Sequence, residues 1–220
     1  MYVRTARVTT AALTTSILLT ACGGGPADPS APPTPAKAVL IEADLPEGWT
    51  ASTSPTQNGS SPADKPECQV LVDLTEAGRP AQLEGGAAVA SFANAAGASY
   101  ETSVFELGEA GAAGFLKDVE NAVRACGAYS VTAEADGGAE PPLPSRAQPL
   151  AAPSAGDGSY GFSVDAALDS DMSRHVNVVL VRRGGLIATS GSSSVGDRPD
   201  AKGFEAFTSL VVKKLTAQAP

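Results

Sequence analysis

Apolar and polar positions follow two different periods along this chain. Phe115, Val119, Ala122 and Cys126 recur at intervals of four, three and four. Leu116 and Val123 widen that stripe, while Lys117, Asp118, Glu120, Asn121 and Arg124 fill the opposite side. This is the period of an amphipathic helix, predicted over 109–126. Glu120 and Arg124 are spaced as an i,i+4 ion pair, and Gly127 is the expected C-cap. A second stripe of Phe204, Phe207, Leu210, Val211 and Leu215 follows Asp200, a fitting N-cap. A shorter helical spacing, with Cys68, Val70, Leu71 and Leu74, runs from Glu67 to Glu76.

The other period is two. Runs 87–94 and 99–107 read as strands joined by a turn at Asn94-Ala-Ala-Gly97. In the second, Tyr100, Thr102 and Val104 take one side, Phe105 and Leu107 the other. Another strand is predicted over Tyr160–Leu168. Runs 175–183 and 186–190 flank Gly184-Gly185, a two-residue hairpin signal. Val176 and Val178–Val181 are apolar at both parities, which places that strand centrally in a sheet. Ala128–Ala133 reads as a short strand and Ser192–Pro199 as loop. Residues 135–158 carry five prolines, with room for an edge strand near Arg146–Leu150. Before these elements, Ala38 to Trp49 reads as a short helix or turn closed by Pro46 and Gly48, with Trp49 packed on the body. The set predicts an α+β fold: an antiparallel sheet packed by two main amphipathic helices, in one domain.

The first residues follow neither period. Arg4 and Arg7 precede an apolar stretch, 11–19, too short to span a bilayer and suited to a signal segment. It ends in Leu19-Thr20-Ala21-Cys22, which resembles the lipobox of bacterial lipoproteins, where the cysteine is lipidated and becomes the first residue. Residues 1–21 are therefore the expected signal peptide, and Cys22 the lipidation site and partner of the membrane. Residues 23–37 contain five prolines and no large apolar side chain. With Cys22 they form a tether, about 45 Å at most when extended. The domain is expected over 38–220.

Composition narrows the chemistry. With 15 basic and 24 acidic residues the formal charge is −9, which argues against a nucleic-acid partner. Losing Arg4 and Arg7 with the signal segment takes it to −11, so the tether would hold an acidic domain off anionic headgroups. Aromatics make up 5%, so the core is expected from Val, Leu, Ile and Ala. With Cys22 acylated, Cys68 and Cys126 remain and pair by default in an oxidising exported setting. Closing that loop of about 59 residues stabilises the fold by about 4 kcal/mol.

The single His175 rules out a multi-histidine metal site. A hydrolase triad would need His175, but no Gly-x-Ser-x-Gly elbow joins a strand to a helix; Gly191-Ser-Ser-Ser-Val-Gly196 leads into polar chain. Asp165, Asp169 and Asp171 lack the glycine and terminal glutamate of a calcium loop. Arg182-Arg183 could meet an anion, or solubilise a strand end beside a glycine turn. No cofactor, metal or catalytic residue is expected.

The segment AAGFLKDVENAVRACGAYSV, 112–131, resembles the extracellular sensor domain of mycobacterial serine/threonine kinases and the actinobacterial lipoproteins related to it. Leu40-Ile-Glu-Ala-Asp-Leu-Pro-Glu-Gly48, Pro66-Glu-Cys68 and the strand His175–Val181 with Asn177 match in order. The resemblance implies an α+β sandwich held by disulfides, with a cleft for an unknown ligand. This chain has one exported cysteine pair where the family has two, and no kinase or membrane-spanning segment. The expected function is a membrane-anchored extracytoplasmic lipoprotein with a non-catalytic, ligand- or partner-binding domain. An envelope carrier of lipid or other apolar molecules is the alternative, and a secreted hydrolase the next.

Overall fold

A computed structural model describes residues 34–53, 61–76, 87–94, 98–132, 134–135, 138–139 and 141–217, which hold four α-helices and ten β-strands besides two short 3-10 turns. The expected signal segment, Cys22 and most of the expected tether lie outside them. In chain order the elements are α1 (Pro35–Ala38), β1 (Trp49–Ser52), α2 (Gln69–Thr75), β2 (Ala87–Asn94), β3 (Ser99–Glu106) and α3 (Gly108–Ala125). β4 (Tyr129–Val131), β5 (Glu134–Ala135), β6 (Gly138–Ala139), β7 (Leu143–Leu150) and β8 (Gly158–Ala167) follow. β9 (Ser173–Arg183), β10 (Leu186–Val195) and α4 (Ala201–Ala217) complete the set.

Eight strands form one antiparallel sheet in the order β1-β2-β3-β10-β9-β8-β7-β4, and β5 pairs with β6 alone. Within the sheet β10 pairs with β3, a contact between segments about 85 residues apart. Strand parity sets two cores. Val176, Val178 and Leu180 of β9 join Phe105, Phe162 and Ile187 beneath α2 and α3. Val179 and Val181 join Phe92, Tyr100 and Val104 beneath α1 and α4. The strand that is apolar at both parities is thus central, buried on both faces between β10 and β8.

The α+β expectation holds: the two long helices cover opposite faces of one sheet. Both follow their stripes. Val119, Ala122 and Val123 are buried on α3, and Phe204, Phe207, Val211 and Leu215 on α4. Asp200 caps α4 through the N–H groups of Lys202 and Gly203, at 3.1 and 3.0 Å. The Glu120–Arg124 pair is present.

Several expectations change. Gly127 is not left-handed; α3 ends with the Cys126 N–H on the Ala122 carbonyl, 2.8 Å, and the Cys126 carbonyl then accepts the Ala147 N–H at 3.0 Å. β10 runs to Val195, through the stretch read as loop, because its serines pair between β3 and β9. β7 exists but is flanked by β4, which covers only Leu143–Ser145. Ala147 N–H points away from β8, so the nitrogen of Pro149, two residues on, also faces outward and no ladder bond is lost. At the end of the stretch expected to be tether, Pro35–Ala38 form a helical turn with Ala38 buried. Aromatics contribute to the core: Phe92, Phe105, Phe162 and Phe207 are among the largest fully buried side chains.

Gly184-Gly185 makes the β9–β10 turn, with Gly184 at φ +56°. A Cβ on Gly185 would lie 2.8 Å from the Cα of Gly108, so the pair also lets α3 start against the turn. The Gly185 carbonyl accepts the Leu107 N–H there, at 2.9 Å.

Candidate functional site

Of the residues singled out in the sequence, Asp165 meets His175 and Cys68 meets Cys126, while Asp169, Arg182 and Arg183 bond elsewhere in turns. Cys22 lies outside the described residues. Cys68 and Cys126 form a disulfide with Cα atoms 5.8 Å apart, both fully buried. It ties the start of α2 to the end of α3 and is structural by position. Arg182 donates to the Asp157 carbonyl at 3.0 Å, and Arg183 pairs with the Asp157 carboxylate at 3.5 Å. They hold a turn rather than an anion. Asp169 accepts the N–H groups of Asp171 and Met172, at 2.9 and 2.8 Å, which closes the β8–β9 turn.

His175 is committed at both ring nitrogens. Nδ1 is 2.7 Å from Asp165 Oδ1, and Nε2 is 3.0 Å from the Gly196 carbonyl oxygen. Arg198 donates to the other oxygen of Asp165 at 2.7 Å. No serine hydroxyl bonds the ring among the described residues, so the histidine joins β8, β9 and the connection to α4. Burial pushes the Asp165 carboxyl up, but the hydrogen bonds from His175 and Arg198 outweigh it and leave it below its ordinary value.

On the α2/α3 face, Arg174 donates to the Thr75 carbonyl at 2.8 Å and to Ser193 Oγ at 3.2 Å. It thereby caps the C-terminus of α2, where a cation is favourable. Burial lowers its pKa, opposed by the carboxylates of Glu76 and Glu101. Tyr129 reaches toward it along the row Tyr129–Ser145–Ala166–Arg174, whose middle side chains are small. Among the described residues its buried hydroxyl has no hydrogen-bond partner, and burial pushes its pKa up to about 12 against the lowering effect of Arg174.

On the opposite face, α4 lies over β10, β9 and β3, leaving β8 and β7 beside it. Two polar rows cross the strands there. One is Arg146–Asp165–His175–Ser194 and the next is Gln148–Ser163–Asn177–Ser192. Parity fixes the face, because the following row, Leu150–Gly161–Val179, belongs to the core under α4. Asp165 is bonded by His175 and Arg198, whereas the second row is uncommitted. Gln148, Ser163 and Asn177 make no side-chain hydrogen bond among the described residues, and Ser192 Oγ is buried without a partner. This shelf was not singled out in the sequence. The signal was there as polar residues at alternate positions of otherwise apolar strands, but it needed the register of four strands to align.

No protein-family model and no curated protein matches the chain. Among solved structures, its fold is similar to the crystal structure of the extracellular domain of PknH from Mycobacterium tuberculosis. The TM-score is 0.57 at 8% identity, over 85% of this chain and 98% of that one. At that identity the likeness is one of fold alone.

Proposed function

We propose that this chain is a membrane-anchored extracytoplasmic lipoprotein whose folded domain binds a ligand or a protein partner without transforming it. The observation that carries the reading is the fold likeness to an extracellular domain, which extends over nearly all of that domain. Three features support it. Leu19-Thr20-Ala21-Cys22 precedes a proline-rich tether suited to holding a domain away from its anchor. The buried Cys68–Cys126 bridge suits an oxidising compartment. No helix among the described residues is long and apolar enough to cross a membrane; the proposed anchor is lipidated Cys22, with stable attachment requiring more than one acyl chain. The non-catalytic reading is supported by His175, whose ring nitrogens are both taken up in holding strands together.

The test is fractionation of the wild type and Cys22→Ala in a lipoprotein-processing bacterial host. The wild type is expected in the detergent-extractable membrane fraction and the variant in the soluble fraction. Retention of Cys22→Ala on membranes would overturn the anchor.

A further inference from the structure

We infer that His175 is a proton-operated latch, holding the connection from β10 to α4 on the sheet while its ring is charged. This goes beyond the binding-domain reading and does not depend on the Cys22 anchor. Both partners of the ring are acceptors. Nδ1 meets a carboxylate oxygen of Asp165 at 2.7 Å, and Nε2 meets the Gly196 carbonyl oxygen at 3.0 Å. A neutral imidazole has one N–H and one bare nitrogen. Only the imidazolium, a donor at both ends, makes both bonds.

Loss of the proton breaks one bond, and the partners decide which. A hydrogen bond to a carboxylate is about twice as strong as one between neutral groups, so the remaining proton stays on Nδ1 with Asp165. Bare Nε2 then faces the Gly196 oxygen, and two acceptors at that distance repel. The backbone can yield there. Gly196 leaves β10 at φ +87°, with nothing within 4 Å of the place a Cβ would take. Its N–H donates to the Ser173 carbonyl at 2.9 Å, at the start of β9, and this bond loosens as the residue moves. Arg198 stays on Asp165 at 2.7 Å, and Ser194 Oγ stays on the Asp197 carbonyl at 2.6 Å, so the release is confined to Gly196.

The charged groups around the ring are Asp165 on β8, Arg146 opposite it on β7, and Asp197 and Arg198 in the connection. β10 brings the neutral Ser194 opposite His175, and Asp200 is engaged in the cap of α4. Arg174, the preceding residue of β9, lies on the other face against the end of α2. Among these residue types only histidine ordinarily changes charge between about pH 5 and 8, so the ring is the group that responds in that range. Its side chain is 13% exposed, enough to exchange a proton with solvent.

Histidine occurs once in the chain, so the ring signals of the full-length protein, purified in detergent micelles without a histidine tag, are unambiguous. Nitrogen NMR of the ring and hydrogen exchange of the Gly196 amide are followed from about pH 5 to about pH 9 in the wild type and in His175→Asn. The expected neutral ring carries its proton on Nδ1. The Gly196 protection factor, corrected for the intrinsic exchange rate, should fall about tenfold as the ring loses its charge, as the loss of one bond to a charged donor implies. His175→Asn, which cannot titrate, should show no such step, and thermal melts at each pH establish that it is folded. A neutral ring protonated at Nε2, a protection factor that does not change across the titration of the ring, or a step that survives in His175→Asn overturns the latch.

Discussion

Asp165 and His175 face each other across β8 and β9, with Oδ1 2.7 Å from Nδ1. Arg198 closes on the second oxygen from the β10–α4 connection. Because the fold holds the Asp165 carboxyl below its unfolded value of about 4, the ionised group contributes its stability in full above that pH. The contribution disappears as pH falls through the lower, folded value. Asp165→Asn is expected to cost about 1 kcal/mol at neutral pH, since Arg198 is exposed and screened, and to flatten the acid limb of stability. Urea unfolding at stepped pH from 7 to 3 checks this. Parallel acid limbs in both proteins would remove Asp165 from the account.

Phe207 sits among Trp49, Phe92 and Tyr100, with ring centroids 5.9, 6.2 and 5.1 Å away. It is fully buried and joins α4 to β1, β2 and β3. Phe207→Ala should destabilise the fold by about 3–5 kcal/mol through the cavity it leaves. Trp49 is the chain's one tryptophan, so its emission should shift to the red in the folded variant. An unchanged spectrum would mean that Trp49 does not depend on this contact.

Cys68 and Cys126 are both fully buried, so neither sulfur should react with a thiol reagent until the protein is reduced and unfolded. Replacing both with alanine is expected to lower stability by about 4 kcal/mol. Denaturant titration of the wild type and the double variant measures it. Two rapidly labelled thiols in the native protein would refute the bridge.

Gly156 has φ +60°, and a Cβ there would stand 2.1 Å from the Arg182 carbonyl oxygen. Gly127 has no such φ and open space around its Cα. Gly156→Ala should therefore cost about 2 kcal/mol or more, and Gly127→Ala less than about 0.5 kcal/mol. Equal midpoint shifts in thermal melts of the two variants would contradict this difference.

Most elements of this fold are written in local periods. The α3 stripe from Phe115 to Cys126 and the α4 stripe from Phe204 to Leu215 identify those helices because an amphipathic face must be buried. Val176–Val181 identifies a central strand for the same reason. Local signals fail where pairing, not burial, makes the element. Ser192–Val195 looks like loop and becomes strand because β3 and β9 both offer it backbone partners. Gly127 looks like a cap and is not one, because the Cys126 carbonyl already has Ala147.

The sequence by itself determined the types of element, the expected exported address at Cys22, and the one cysteine pair left to close a loop. Those follow from period, composition and count, which need no third dimension. Only the tertiary structure decided that α3 and α4 lie on opposite faces, that β3 meets β10, and that Gln148, Ser163, Asn177 and Ser192 stand in one row. Strand order and register rest on contacts between residues far apart in the chain. Each side chain's parity is local, but which neighbours share its row is set by the pairing of whole strands.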